Sequence, residues 1–146
     1  MSSTLLALLI CLAGAALEGW LAGSGVRKRL ASLRMPPFAL WLVIGFANCA
    51  ICFVVLRHLL AARATLSSAL LVVVLLANAL WNLVFFRWRN LRASWFAFIP
   101  YAALVVALVP SLARVYLFVA VLFMCYGAHL LYAAWWGYRL RLLNSR

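Results

Sequence analysis

Acidic side chains are all but absent from this 146-residue chain: it has no aspartate, and Glu18 is its single glutamate. With no aspartate, Ser/His/Asp catalysis fails, and no catalytic residue is expected. The seven glycines form no P-loop and no dinucleotide fingerprint, and no zinc-ligand spacing is present. Cysteine is scarce too. Cys49 and Cys52 have the CxxC spacing, but inside an apolar run without a thioredoxin-like context they read, like Cys11 and Cys125, as small packing residues.

What the chain has in abundance is hydrocarbon. It is 71% apolar with a mean hydropathy of +1.15, far above the roughly half-apolar makeup of soluble domains, and a water-soluble fold is excluded. A bilayer core of about 30 Å takes about 20 helical residues per crossing, so the expected architecture is all-α, a single five-helix integral membrane domain over 1–146. The spans are about Leu5 to Leu21, Phe38 to Leu60, Leu66 to Phe86, Trp95 to Leu112 and Val115 to Tyr138. Gly23, Gly25 and Pro36-Pro37 bracket the first loop, Arg63 and Ser67-Ser68 the second; Arg87 to Arg92 fill the third, and Pro110-Ser111 with Arg114 makes the fourth. Pro100 is a kink inside the fourth span. No basic residue precedes the run Leu5 to Leu17, so it reads as a retained span rather than a cleaved signal peptide.

Thirteen Lys and Arg give a formal charge of +12, but they sit between the apolar runs. With five crossings, ten of them (Arg27, Lys28, Arg29, Arg34, Arg87, Arg89, Arg92, Arg139, Arg141, Arg146) share one side, against Arg57, Arg63 and Arg114 on the other. Basic residues are retained on the cytoplasmic side, which predicts N-out, C-in. The charge is thus a topology signal and a contact for lipid head groups, and no nucleic-acid partner is expected.

Polar residues converge in depth. At ~1.5 Å per residue from each outer end, Glu18, Asn48, Asn78, Asn82, Tyr126, His129 and Tyr132 all lie roughly 17 to 26 Å in. Uncompensated polar groups in hydrocarbon are costly, so these should face one another or a shared cavity; each Asn taken alone reads equally as interhelical glue, and the common depth favours the cavity. Asn78, Trp81, Asn82 and Phe85 share one face of the third span; Cys125, His129, Tyr132 and Trp136 share one face of the fifth; Trp41, Gly45, Asn48 and Cys52 do so on the second. Trp20, Trp88, Trp95 and one of Trp135 and Trp136 fit an interfacial aromatic belt. Trp81, with Trp41, Phe85 and Trp136, is placed to wall a flat apolar ligand pocket. Glu18 is in reach of His129, Arg27 or Arg87, either as a structural ion pair or as a carboxylate that meets a ligand or proton. His58 and His129 are too far apart in depth to flank one haem iron, which leaves only single axial ligation by His129. No cofactor is required.

The stretch Asn78-Ala-Leu-Trp81-Asn-Leu-Val-Phe85-Phe86, followed by basic residues, resembles the third-helix signature of the translocator protein family, also called tryptophan-rich sensory proteins or peripheral-type benzodiazepine receptors (TspO/MBR). Five spans, Pro36-Pro37 ahead of the second, Tyr126 in the last helix and a closing Leu-Leu-Asn at 142 to 144 agree with it. The resemblance implies a bundle, commonly dimeric, with a pocket open to the cytoplasmic side and lidded by the first loop. It implies a planar apolar ligand such as protoporphyrin or haem, with Asn78 and Trp81 in the pocket and Pro36 and Pro37 setting the lid's exit. With the charge bias, it places the protein in a bacterial inner membrane.

The chain also departs from the family pattern. The Trp and Tyr that follow the double proline fall at Gly45 and Cys49; the last-helix Trp falls at His129 and the Asn eight residues on at Gly137. Leu83 stands for the usual proline, and Arg27 to Arg34 replace an aromatic-rich lid. Porphyrin degradation, tied to pocket tryptophans in some members, is therefore not expected. Six residues separate Tyr132 from Arg139, one too many for the sterol pattern of the last helix. Two other functions compete with a receptor-like binding protein. One is a small oligomeric transporter that couples protons through Glu18 and His129; the other is a ligand-free interaction subunit packed through Gly19 and Gly23.

Overall fold

The computed structural model describes residues 2–32 and 38–143. These form six α-helices, and no strand occurs among the described residues: α1 (Ser3–Ala22), α2 (Val26–Ser32), α3 (Phe38–Ala61), α4 (Thr65–Asn82), α5 (Leu91–Ala113) and α6 (Leu117–Leu143). Five of the helices are long and apolar enough to cross a membrane. With α4 counted on through Arg87, the five spans hold 20 to 26 residues and rise about 30 to 39 Å. The sixth, α2, is a seven-residue helix in the first loop that the sequence reading did not separate from its surroundings.

Local chemistry sets the ends. Ser2 caps α1, its hydroxyl accepting from the Leu5 amide at 3.2 Å. Gly23 ends that helix at φ 74°, a conformation suited to glycine. Asn90 caps α5, its side-chain oxygen accepting from the Ala93 amide at 2.8 Å, so that the helix starts one turn before the apolar run at Trp95. Pro110, read as part of the fourth loop, instead lies within α5, which continues to Ala113.

The helices close a ring in the order α1, α3, α6, α5, α4 and back to α1. Two buried clusters hold its ends. The larger, with Val55, Leu59, Leu71, Leu108, Leu112, Val119 and Phe123 fully or almost fully buried, fills the half nearer the N-terminus. The smaller one joins Ala22, Leu30, Phe85, Phe86 and Leu140 at the end that carries α2. Outward faces stay apolar, with Val43, Leu66, Val106, Leu117 and Leu131 strongly exposed, as suits contact with acyl chains.

Candidate functional site

Between the two clusters lies a cavity of about 700 Å³ to which all five long helices contribute. Helical spacing explains how. On α1, Cys11, Ala15, Glu18 and Ala22 recur at i, i+4, i+7, i+11; on α3, Trp41, Gly45, Asn48 and Cys52 do the same. Leu75, Asn78, Trp81 and Asn82 line it from α4, Phe98 and Tyr101 from α5, and Tyr126, His129, Leu130 and Ala133 from α6. Gly23, Ser24, Val26 and Arg27 rim the end beside α2. The volume is in the usual range for small-molecule sites, and a mostly apolar wall with a few placed polar groups is their usual chemistry.

The polar groups on that wall are arranged in pairs. Asn78 Nδ2 donates to Glu18 Oε1 at 2.6 Å, and Asn82 Nδ2 donates to the Asn78 backbone carbonyl at 3.0 Å. Asn48 Nδ2 meets His129 Nδ1 at 3.0 Å. At the floor the hydroxyls of Tyr101 and Tyr126 bond to each other. Trp81 Nε1 donates to the Ser94 carbonyl at 3.1 Å, which fixes its ring edge-on to Phe98 and Phe86. Glu18 therefore pairs with neither His129 nor Arg27 nor Arg87: Asn78 is its hydrogen-bond partner, and His129 is held by Asn48. Arg87 instead lies over the Trp20 ring, 5.8 Å from its centroid.

Of the residues expected at the pocket, Glu18, Trp41, Asn48, Asn78, Trp81, Asn82, Tyr126 and His129 line the cavity, and Phe85, Tyr132 and Trp136 do not. For Phe85 the cause is backbone winding. Residues Leu83–Arg87 form a π-helical turn closed by the Trp88 amide on the Leu83 carbonyl at 3.0 Å, which shifts everything beyond Asn82 off the 3.6-residue register. Phe85 is buried, stacked on Trp81 at 4.9 Å, beside a cleft of only about 10 Å³. Tyr132 points outward against Trp135, because the inward face of α6 is Tyr126, His129, Leu130 and Ala133 and not the face running through Cys125. Trp136 is two turns past His129 and packs on the end cluster instead, with its Nε1 buried and unpartnered. Pro36 and Pro37 lie outside the described residues.

Three contributions were missed by sequence reasoning: Cys11 and Ala15 on α1, Phe98 and Tyr101 on α5, and α2 itself. The i, i+3 aromatic spacing of Phe98 and Tyr101 was the available signal. At the cavity's end the structure shows α2 pinned by buried Leu30 and by Arg29 Nη2 donating to the Arg89 carbonyl at 3.2 Å. Partial burial, reinforced by the like charge of Arg89, lowers the pKa of Arg29 from the usual arginine value. Among the described residues no group of three or more His, Cys, Asp or Glu side chains is placed to hold a metal ion. Comparison with known protein families, with curated proteins and with solved structures finds no match to this chain.

Proposed function

We propose that this chain is a divergent member of the translocator protein family, a receptor-like membrane protein that holds a planar apolar ligand, a tetrapyrrole such as protoporphyrin or haem before a sterol. The observation that carries this reading is the 700 Å³ cavity walled by Trp41, Trp81, Phe86 and Phe98 with few polar groups. Flat aromatic walls match a flat guest, and Arg27 at the rim suits the carboxylates of a porphyrin whose ring lies deeper. The protein sits N-out, C-in in a bacterial inner membrane, among lipids and as a homodimer, with the α2 end of the cavity toward the cytoplasm, where ten of its thirteen basic residues lie. Proton-coupled transport is less well supported, because Glu18 and His129 are bonded to different asparagines and form no relay.

Quenching of tryptophan fluorescence by protoporphyrin in detergent tests the reading. Saturable quenching is expected for the wild type, with weakened binding in Trp81→Phe and Asn78→Ala. If both variants bind like wild type, the guest is not in this cavity.

A further inference from the structure

Hydrogen-bond direction on one wall of the cavity specifies more than an apolar guest. Asn78 spends one amide N–H on the Glu18 carboxylate, and Asn82 spends one of its own on the Asn78 backbone carbonyl. With Glu18 ionised, flipping either amide would set two acceptors face to face, so the orientation is fixed by its partners. Besides the second N–H of each amide, three oxygens remain: Glu18 Oε2, Asn78 Oδ1 and Asn82 Oδ1 receive no hydrogen bond from any described residue. None of the three is sealed away, unlike the orphaned Nε1 atoms of Trp41 and Trp136. No basic side chain forms an ion pair with this carboxylate, the chain's only acid, among the described residues. An acceptor cluster with a formal negative charge, facing a low-dielectric cavity, is satisfied by a group that brings several donors and a positive charge.

We propose that the Glu18, Asn78 and Asn82 wall binds the protonated nitrogen of an amphiphilic aromatic amine, whose flat body lies against Trp41 and Trp81. The ammonium supplies up to three N–H donors, one for each free oxygen, and neutralises the carboxylate at membrane depth. This inference rests on the reading of the cavity as a site for planar guests, and goes beyond the tetrapyrrole named there, which carries carboxylates and no ammonium.

The test compares pyrenemethylammonium with pyrenemethanol, a neutral probe of the same shape, by energy transfer from the tryptophans in a non-ionic detergent. The net charge of +12 disfavours adventitious binding of a cation, so a preference for the amine reports the wall. The amine binds wild type at least about ten-fold more tightly than the alcohol; Glu18→Gln brings the two within about three-fold without changing the alcohol, and Asn82→Leu weakens the amine about three-fold. Equal affinity of amine and alcohol in wild type overturns the proposal with no variant needed, as does a Glu18→Gln or Asn82→Leu protein that weakens both probes alike. Binding of both probes with no preference leaves the planar-guest reading standing and removes only this inference. If neither probe nor protoporphyrin binds, both fall.

Discussion

Truncating Leu30 to alanine should release α2 while leaving the bundle intact. Seven residues are far too few for a helix stable on its own, which takes about 12 to 15. Leu30, 2% exposed among Ala22, Phe85, Phe86 and Leu140, is thus the main anchor, with the Arg29 to Arg89 hydrogen bond beside it. Because α2 lies outside the membrane-spanning helices, its alternative environment is water rather than lipid, and the full transfer term applies. Burying a leucine is worth about 1.5 to 3 kcal/mol, and truncation to alanine forfeits ~2 kcal/mol of it. At about 1.4 kcal/mol per tenfold, the population with α2 detached rises about 30-fold. Amide hydrogen exchange in detergent micelles reads this directly: residues 26–32 exchange about 30-fold faster while the central turns of α5 and α6 keep their rates. Leu66→Ala, on a strongly exposed apolar position, leaves both regions unchanged. Unaltered exchange at 26–32 in the Leu30 variant, or equal acceleration in every helix, would refute the reasoning. In the first case Leu30 is no anchor, and in the second α2 belongs to the global core.

Three further outcomes are open to direct measurement. A Cβ built on Gly45 meets nothing within 4 Å and the residue lines the cavity, so Gly45→Leu should leave thermal stability unchanged or raised by up to about 1 kcal/mol through helix propensity. The same variant should abolish saturable binding of a planar probe; undiminished binding argues that the guest lies elsewhere. Tyr101→Phe leaves the buried Tyr126 hydroxyl without its partner and costs about 1 kcal/mol. The double change to Phe at both positions should recover most of that loss in a denaturation series, and additive losses would show the pair is not coupled. For orientation, Ser24→Cys and Arg89→Cys in a cysteine-free background should react with an impermeant maleimide only from the cytoplasmic face, and Ala62→Cys only from the opposite face.

Element identity was legible because hydrocarbon thickness sets a length that five apolar runs satisfy, and charged residues mark the gaps. The faces of α3 and α4 up to Asn82 were legible for the same reason: Trp41, Gly45, Asn48 and Cys52 hold a clean helical period, as do Asn78 and Asn82. The face of α6 was not. Two stripes cross at His129, one of polar and aromatic residues through Cys125, Tyr132 and Trp136, the other through Tyr126, Leu130 and Ala133, and polarity suggested the first. Ring closure selects the second, because α6 must present one side to α3 and the other to α5. Phe85 was misplaced for a different reason. A π-helical turn changes the period locally, and no residue in Leu83–Arg87 announces it. The partners of Glu18 and His129 were also beyond reach, since depth fixes which groups are level but not how each helix is rotated.

The division of labour within the bundle explains how polar groups survive at membrane depth. Close packing is concentrated at the two ends, in the Val55, Leu59, Leu71, Leu112 and Phe123 cluster and in the Leu30, Phe85, Phe86 and Leu140 cluster. Lipid tails are as apolar as leucine, so the helices gain little from hydrophobic transfer and depend on packing and hydrogen bonds. With the ends supplying the packing, the middle layer can give up contact area to a void, provided its polar groups satisfy one another. The Glu18–Asn78, Asn48–His129 and Tyr101–Tyr126 pairs do so in large part, across α1 and α4, α3 and α6, and α5 and α6, and leave only a few oxygens such as Glu18 Oε2 open to the cavity. Each pair thus ties two neighbouring helices of the ring at cavity depth, so the same bonds that make the cavity tolerable also hold its walls apart at a fixed distance. Substituting one partner should loosen that joint and leave the end clusters packed, so loss of ligand binding in this layer need not entail loss of the fold.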